Sequence, residues 1–107
     1  MAIMAISIAP TGMEGTSLSL PVSKAIAVLE GDNRVTWELG SMFTTVEGEL
    51  SVLFEIAQKM HEAMAEAGAP RIGSVIKIDD RRDKEAHMAD KIAAVRRNLS
   101  TSHDERS

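Results

Sequence analysis

Thr44-Thr45-Val46-Glu47-Gly48-Glu49-Leu50 is the stretch on which the reading of this chain turns. Thr44 to Gly48 are strand formers around one acid, and Leu50 opens a helical pattern without an intervening turn. Leu50, Leu53, Phe54, Ala57, Met60, His61 and Met64 recur at helical spacing, so the spacing predicts a helix over Glu49–Ala67 with a wide apolar stripe. Gly68 and Pro70 end it. Within the strand, alternation puts Val46 on one face and Thr45 with Glu47 on the other. A carboxylate buried there without a partner would cost several kcal/mol. Glu47 therefore faces water, or a partner bearing donors or positive charge.

Working outward, Val35-Thr36-Trp37-Glu38-Leu39 alternates with period two, and Gly40-Ser41 joins it to the Phe43–Gly48 strand as a hairpin. Before it, Val22, Ala25, Ile26 and Leu29 make one face of a helix over Leu18–Glu30, with Ser17 or Ser19 as N-cap, Pro21 in the first turn and Gly31-Asp32-Asn33 closing it. Residues 11–17 read as a loop. Ile3–Ala9 is apolar on both faces, which suits a central strand. Ile72–Asp79 is the last strand, and a charged run from Asp79 to Glu85 follows it. Met88, Ile92, Val95 and Leu99 then mark a narrow seam on a third helix, Met88–Leu99, before a polar tail over 100–107 expected to be disordered. The order β-α-β-β-α-β plus a helix predicts a single α+β domain over 1–99. With right-handed crossovers it is a ferredoxin-like sandwich, two helices on one face of a four-stranded antiparallel sheet with the first and third strands central.

Composition narrows the function. The 107 residues are 44% apolar and 26% charged, a globular balance, and with 3% aromatics the core must rest on aliphatic side chains and seven Met. No cysteine is present, which excludes disulfides, thiolate metal sites and cysteine nucleophiles, and suits a cytoplasmic location. The apolar stretch Ala2–Ala9 is too short to span a membrane and has no basic flank. Residues 1–70 carry three basic and nine acidic side chains, and residues 71–107 nine and seven. No basic stripe interleaved with aromatics appears, so nucleic acid is not an expected partner. The acidic part favours a cation or the basic end of another copy.

On this topology Met4, Ile6, Ile8, Val46, Ile76 and Ile78 suit the helix-covered side of the sheet. Ile3, Ala5, Ser7, Thr45, Glu47, Val75, Lys77 and Asp79 fall on the open side. That face is too apolar to be left broadly in water, so a second subunit is expected over it. Ser7, Thr45, Glu47 and Lys77 form a polar cluster within it, a pattern that suits a ligand pocket.

The strings Ile76-Lys77-Ile78-Asp79-Asp80-Arg81-Arg82-Asp83-Lys84 and Thr44-Thr45-Val46-Glu47-Gly48-Glu49 resemble signatures of the small thiamine-binding-protein family. Lys59-Met60-His61-Glu62 and Ile6-Ser7-Ile8-Ala9-Pro10 fit the same pattern, and the resemblance covers about residues 3–96. It implies a ferredoxin-like fold, assembly into dimers and tetramers through sheets and the extra helix, and non-enzymatic binding of thiamine or its hydroxymethylpyrimidine half without a cofactor. On that footing Glu47 is the anchoring carboxylate, since a carboxylate can accept from the exocyclic amine and a protonated ring nitrogen of an aminopyrimidine together. Ser7, Thr44 and Thr45 supply hydroxyls, and Trp37 or Met42 an apolar wall.

Plainer readings stand beside these. Glu47 can be a solvated residue or pair with Lys77; Trp37 is ordinarily core. His61 is more often a packed or surface histidine than a base, and no second ligand at metal spacing accompanies it. Asp79, Asp80 and Asp83 are offset by Arg81, Arg82 and Lys84, which favours a self-paired charged turn over a cation site. No nucleophile–base pair or phosphate loop is visible. Two other classes remain open: an oligomeric structural or regulatory protein with no small ligand, and a small enzyme on a pyrimidine-like metabolite with His61 or Glu47 as base.

Overall fold

The computed structural model describes residues 1–12, 19–83 and 88–106. In chain order its elements are β1 (Ala2–Thr11), α1 (Ser19–Glu30), β2 (Thr36–Glu38), β3 (Thr44–Gly48), α2 (Leu50–Glu66), β4 (Arg71–Asp80) and α3 (Met88–Arg106). The sheet is antiparallel in the order β2-β3-β1-β4. This is the ferredoxin-like arrangement, with β1 and β3 central. Most of the loop expected over 11–17, the N-cap candidate Ser17, and Lys84 and Glu85 of the charged run lie outside the described residues.

The apolar periodicity explains the packing. Met4, Ile6 and Val46 from the sheet meet Ala25 and Leu29 of α1 and Leu53, Ile56, Ala57, Met60 and Met64 of α2 in one core. Each such large side chain contributes roughly 1.5–3 kcal/mol on burial. The stripe on α2 is rotated from the one expected. Ile56 is fully buried, whereas Phe54 is 57% exposed and His61 sits half-buried at the margin, its Nε2 2.8 Å from Ser74 Oγ. Buried positions 53, 56, 57, 60 and 64 keep the 3.6-residue period; Phe54 and His61 lie seven apart on its edge.

Helix α2 stops where Gly68 takes φ +100°, which an L side chain rarely adopts. Gly68 N–H donates to Ala65 O and Ala69 N–H to Met64 O, a Schellman closure whose flanking residues Met64 and Ala69 are both buried. Between α1 and β2, Arg34 donates from Nε to Asp32 Oδ1 at 2.9 Å and from a terminal nitrogen to Asp32 Oδ2 at 2.6 Å, and also pairs with Glu55 of α2. Those bonds hold the Asp32 carboxyl down at about 2.

Several boundaries differ from the sequence expectation. Strand β2 has only three residues, shorter than Val35–Leu39. Strand β1 continues through Pro10 and Thr11, which pair with Ile72 and Arg71. Proline is tolerated there because β3 pairs only as far as Ile6, leaving that stretch one strand neighbour. Helix α3 continues past Leu99 to Arg106, where a disordered tail was expected, since neither Gly nor Pro interrupts 88–106. A compact chain of this length would have a radius of gyration of about 13 Å; the observed 16.7 Å and the 54 Å long axis reflect the projecting α3.

Candidate functional site

The register fixes which side chains share the open sheet face. Thr36, Glu47, Ile3 and Asp79 form one row across β2, β3, β1 and β4; Glu38, Thr45, Ala5 and Lys77 form the next. Ser7 lies one row further, opposite Val75. Ile3 is buried although it faces away from α1 and α2, and Lys91 and Ile92 near the start of α3 border the same space above it. The result is a cleft of about 280 Å³, mostly apolar, with Ile3 and Ala5 as its floor. Glu38 and Thr45 border it on the β2–β3 side; Lys77, Asp79, Lys91 and Ile92 border it on the β4–α3 side. An ion pair between Lys91 and Asp79 ties α3 to β4.

Of the five residues expected at a site, the register brings Ser7, Thr45 and Glu47 to the open face and sends Thr44 and Trp37 to the other. Thr44 is 6% exposed on the helix-covered side, and Trp37 pairs with Val46 and packs against the core. In a strand, odd and even positions cannot share a face. Thr44 and Trp37 therefore support the sheet from behind and do not touch the cleft. Thr45 borders it directly. Glu47 sits in the adjoining row, half-buried, and accepts a hydrogen bond from Thr36 Oγ1 at 2.6 Å. It does not pair with Lys77, which makes no ion pair among the described residues.

Glu38 is the residue that sequence reasoning passed over. Its signal was present in the parity: a Gly40-Ser41 connection already gives Thr36 and Glu38 the face of Thr45 and Glu47, although the connection observed runs over 39–43 and sets Glu38 opposite Thr45. Lys91 and Ile92 had no such signal, because the docking of α3 on the sheet cannot be read from periodicity. Within the charged turn Arg81 Nε pairs with Asp83 Oδ1 and Arg82 Nε with Asp80 Oδ2, both at 2.8 Å, as expected, whereas Asp79 pairs outside the turn with Lys91 of α3. The Arg81 guanidinium is held more firmly protonated by Asp83. Among the described residues no group of acidic and histidine side chains could hold a metal ion, and no helix is long and apolar enough to cross a membrane.

Fold and face together define a class: a small ferredoxin-like α+β protein with a charge-rimmed cleft on its open sheet face. The chain belongs to the thiamine-binding protein family, whose model matches residues 4–96. It is 40% identical over 102 residues to the UPF0045 protein YqgV of Bacillus subtilis, covering 92% of this chain and 98% of that one. Among solved structures, a domain of unknown function from Bacillus cereus is similar with a TM-score of 0.79 at 32% identity, covering 85% of this chain and 86% of that one. Hypothetical protein MJ1052 from Methanocaldococcus jannaschii gives 0.78 at 32% identity, covering 88% and 94%.

Proposed function

We propose that this protein is a non-enzymatic, cytoplasmic homo-oligomer, a tetramer, that binds thiamine or its hydroxymethylpyrimidine moiety on the open sheet face, at a subunit interface. The observation that carries the reading is the cleft over Ile3 and Ala5: an apolar floor of the size of a small heterocycle with a carboxylate and a hydroxyl at one rim. Family membership supports this ligand class. Glu47 and Glu38 accept from the exocyclic amine and protonated ring nitrogen of the pyrimidine, charge-assisted bonds worth roughly 1.5–3 kcal/mol each. Thr45 and Ser7 offer hydroxyls, and a ring stacks on Ile3 and Ala5.

Assembly follows from exposed apolar surface. Ile92, Val95 and Leu99 form a seam along α3 that is largely exposed in the monomer, and Val75 and Ile76 are exposed on the edge strand β4. The same surface favours a second reading, in which the open face serves assembly alone and Glu47 belongs to a subunit contact.

Titration calorimetry with thiamine and with hydroxymethylpyrimidine, on wild type, Glu47→Gln and Glu38→Gln, separates the two. Binding that weakens about tenfold or more in either variant is expected from loss of a charge-assisted bond. No heat with either ligand transfers the weight to the assembly role, and turnover detected by chromatography of the mixture would make the protein an enzyme.

A further inference from the structure

The two rims of the cleft carry opposite charge. On one side stands Glu38, with Glu47 in the adjoining row; on the other stand Lys77, Lys91 and Asp79, a net single positive charge. Lys91 is engaged with Asp79, so among the described residues the ammonium of Lys77 is the uncommitted cation of that rim. This polarity has its origin in the chain: the acidic rim comes from strands in residues 1–70, which carry three basic and nine acidic side chains. The basic rim comes from residues 71–107, with nine basic and seven acidic.

Glu38 and Lys77 occupy one row of the sheet, Glu38 opposite Thr45, Thr45 opposite Ala5, Ala5 opposite Lys77. Three strand spacings place their Cα atoms about 14 Å apart. Both side chains border the same cleft. A ligand lying along this row meets a carboxylate, an apolar floor and an ammonium in sequence. Resting on the ligand class proposed above, we infer that the cleft prefers a form of that ligand carrying an anionic group at the end remote from the pyrimidine. A phosphate monoester placed at Lys77 meets this requirement. A neutral alcohol in its place would leave the ammonium without a charged partner, whereas the phosphate gains a charge-assisted contact.

A lysine on an edge strand also has a simpler use, which is to guard the edge against pairing with another chain. That use requires no opposing carboxylate and predicts nothing about ligand charge, so the two can be told apart.

Thiamine and thiamine monophosphate are titrated into wild type, Lys77→Met and Lys77→Arg at low ionic strength, with sedimentation velocity on each variant. The expected result is monophosphate binding about tenfold tighter than thiamine in wild type. The preference is lost in Lys77→Met, chiefly through weaker binding of the monophosphate, and restored in Lys77→Arg. Equal or weaker binding of the monophosphate overturns this inference while leaving the proposed function standing. So does a Lys77→Met variant that changes self-association and weakens both ligands alike. Absence of binding by either form removes the proposed function and this inference together.

Discussion

Replacing Gly48 with alanine sets two effects of opposite sign against each other. Gly48 closes β3, is buried, and is not in the left-handed region, so its backbone accepts an L residue. Removing a glycine restricts the unfolded chain and on its own stabilises by about 0.4–1 kcal/mol. The new Cβ, however, would lie 2.8 Å from Val35 Cγ1 and 3.4 Å from Arg34 O. Val35 is itself buried, so it cannot swing away into solvent, and overpacking of this kind costs about 1–3 kcal/mol. The steric clash outweighs the entropic gain, and Gly48→Ala is expected to destabilise by roughly 1–2 kcal/mol. The diagnostic is the background dependence. In Val35→Ala the obstructing methyls are gone, and the same Gly48→Ala change becomes neutral or stabilising. Urea unfolding followed by circular dichroism at one fixed protein concentration reads both, and the coupling between the sites should reach about 1–2 kcal/mol. Equal cost of Gly48→Ala in the two backgrounds, or stabilisation in wild type, would rule out a clash with Val35 as the cause.

Packing and charge elsewhere in the chain lead to further expectations. Ile56→Ala should cost about 2–5 kcal/mol in the same unfolding assay, whereas Phe54→Ala, on a residue that is mostly exposed, should cost under about 1 kcal/mol. Asp32, held at about 2 by Arg34, has a folded value below its unfolded one. Its contribution is present above the unfolded value, falls away below about pH 4 and is gone once the pH passes about 2. Asp32→Asn should flatten the acid limb of a stability–pH profile. Ile92→Glu with Val95→Glu, placing like charges on the α3 seam, should reduce the sedimentation coefficient to that of a smaller species while the far-ultraviolet spectrum is retained.

The fold is legible in the sequence because its central strands are unambiguous. Ile3–Ala9 is apolar on both faces and Thr44–Gly48 alternates cleanly, so topology and most of the open face follow from parity. The site is legible only where parity is applied. Residue chemistry groups Thr44 and Trp37 with Thr45 and Glu47, and the pleat separates them. Size alone would put Phe54 in the core, but Ile56 occupies the inward position and the aromatic falls at the margin of the stripe. Glu38 is readable from the hairpin register. The placing of Lys91 and Ile92 is not, because it depends on how α3 docks over the sheet, and the local pattern of a narrow, mostly polar helix does not encode that.

If the ligand lies on the open sheet face over Ile3 and Ala5, its binding must perturb the backbone of that face. Amide chemical-shift mapping in a nitrogen-15 labelled sample, titrated with thiamine, reads this directly. Saturable shifts are expected at Ile3, Ala5, Glu38, Thr45 and Lys77, with the outer faces of α1 and α2 unmoved. Shifts gathered instead around Val22, Ile26 and Leu39, which line a separate groove beside α1, or no saturable shifts at all, would contradict a ligand site on the open face.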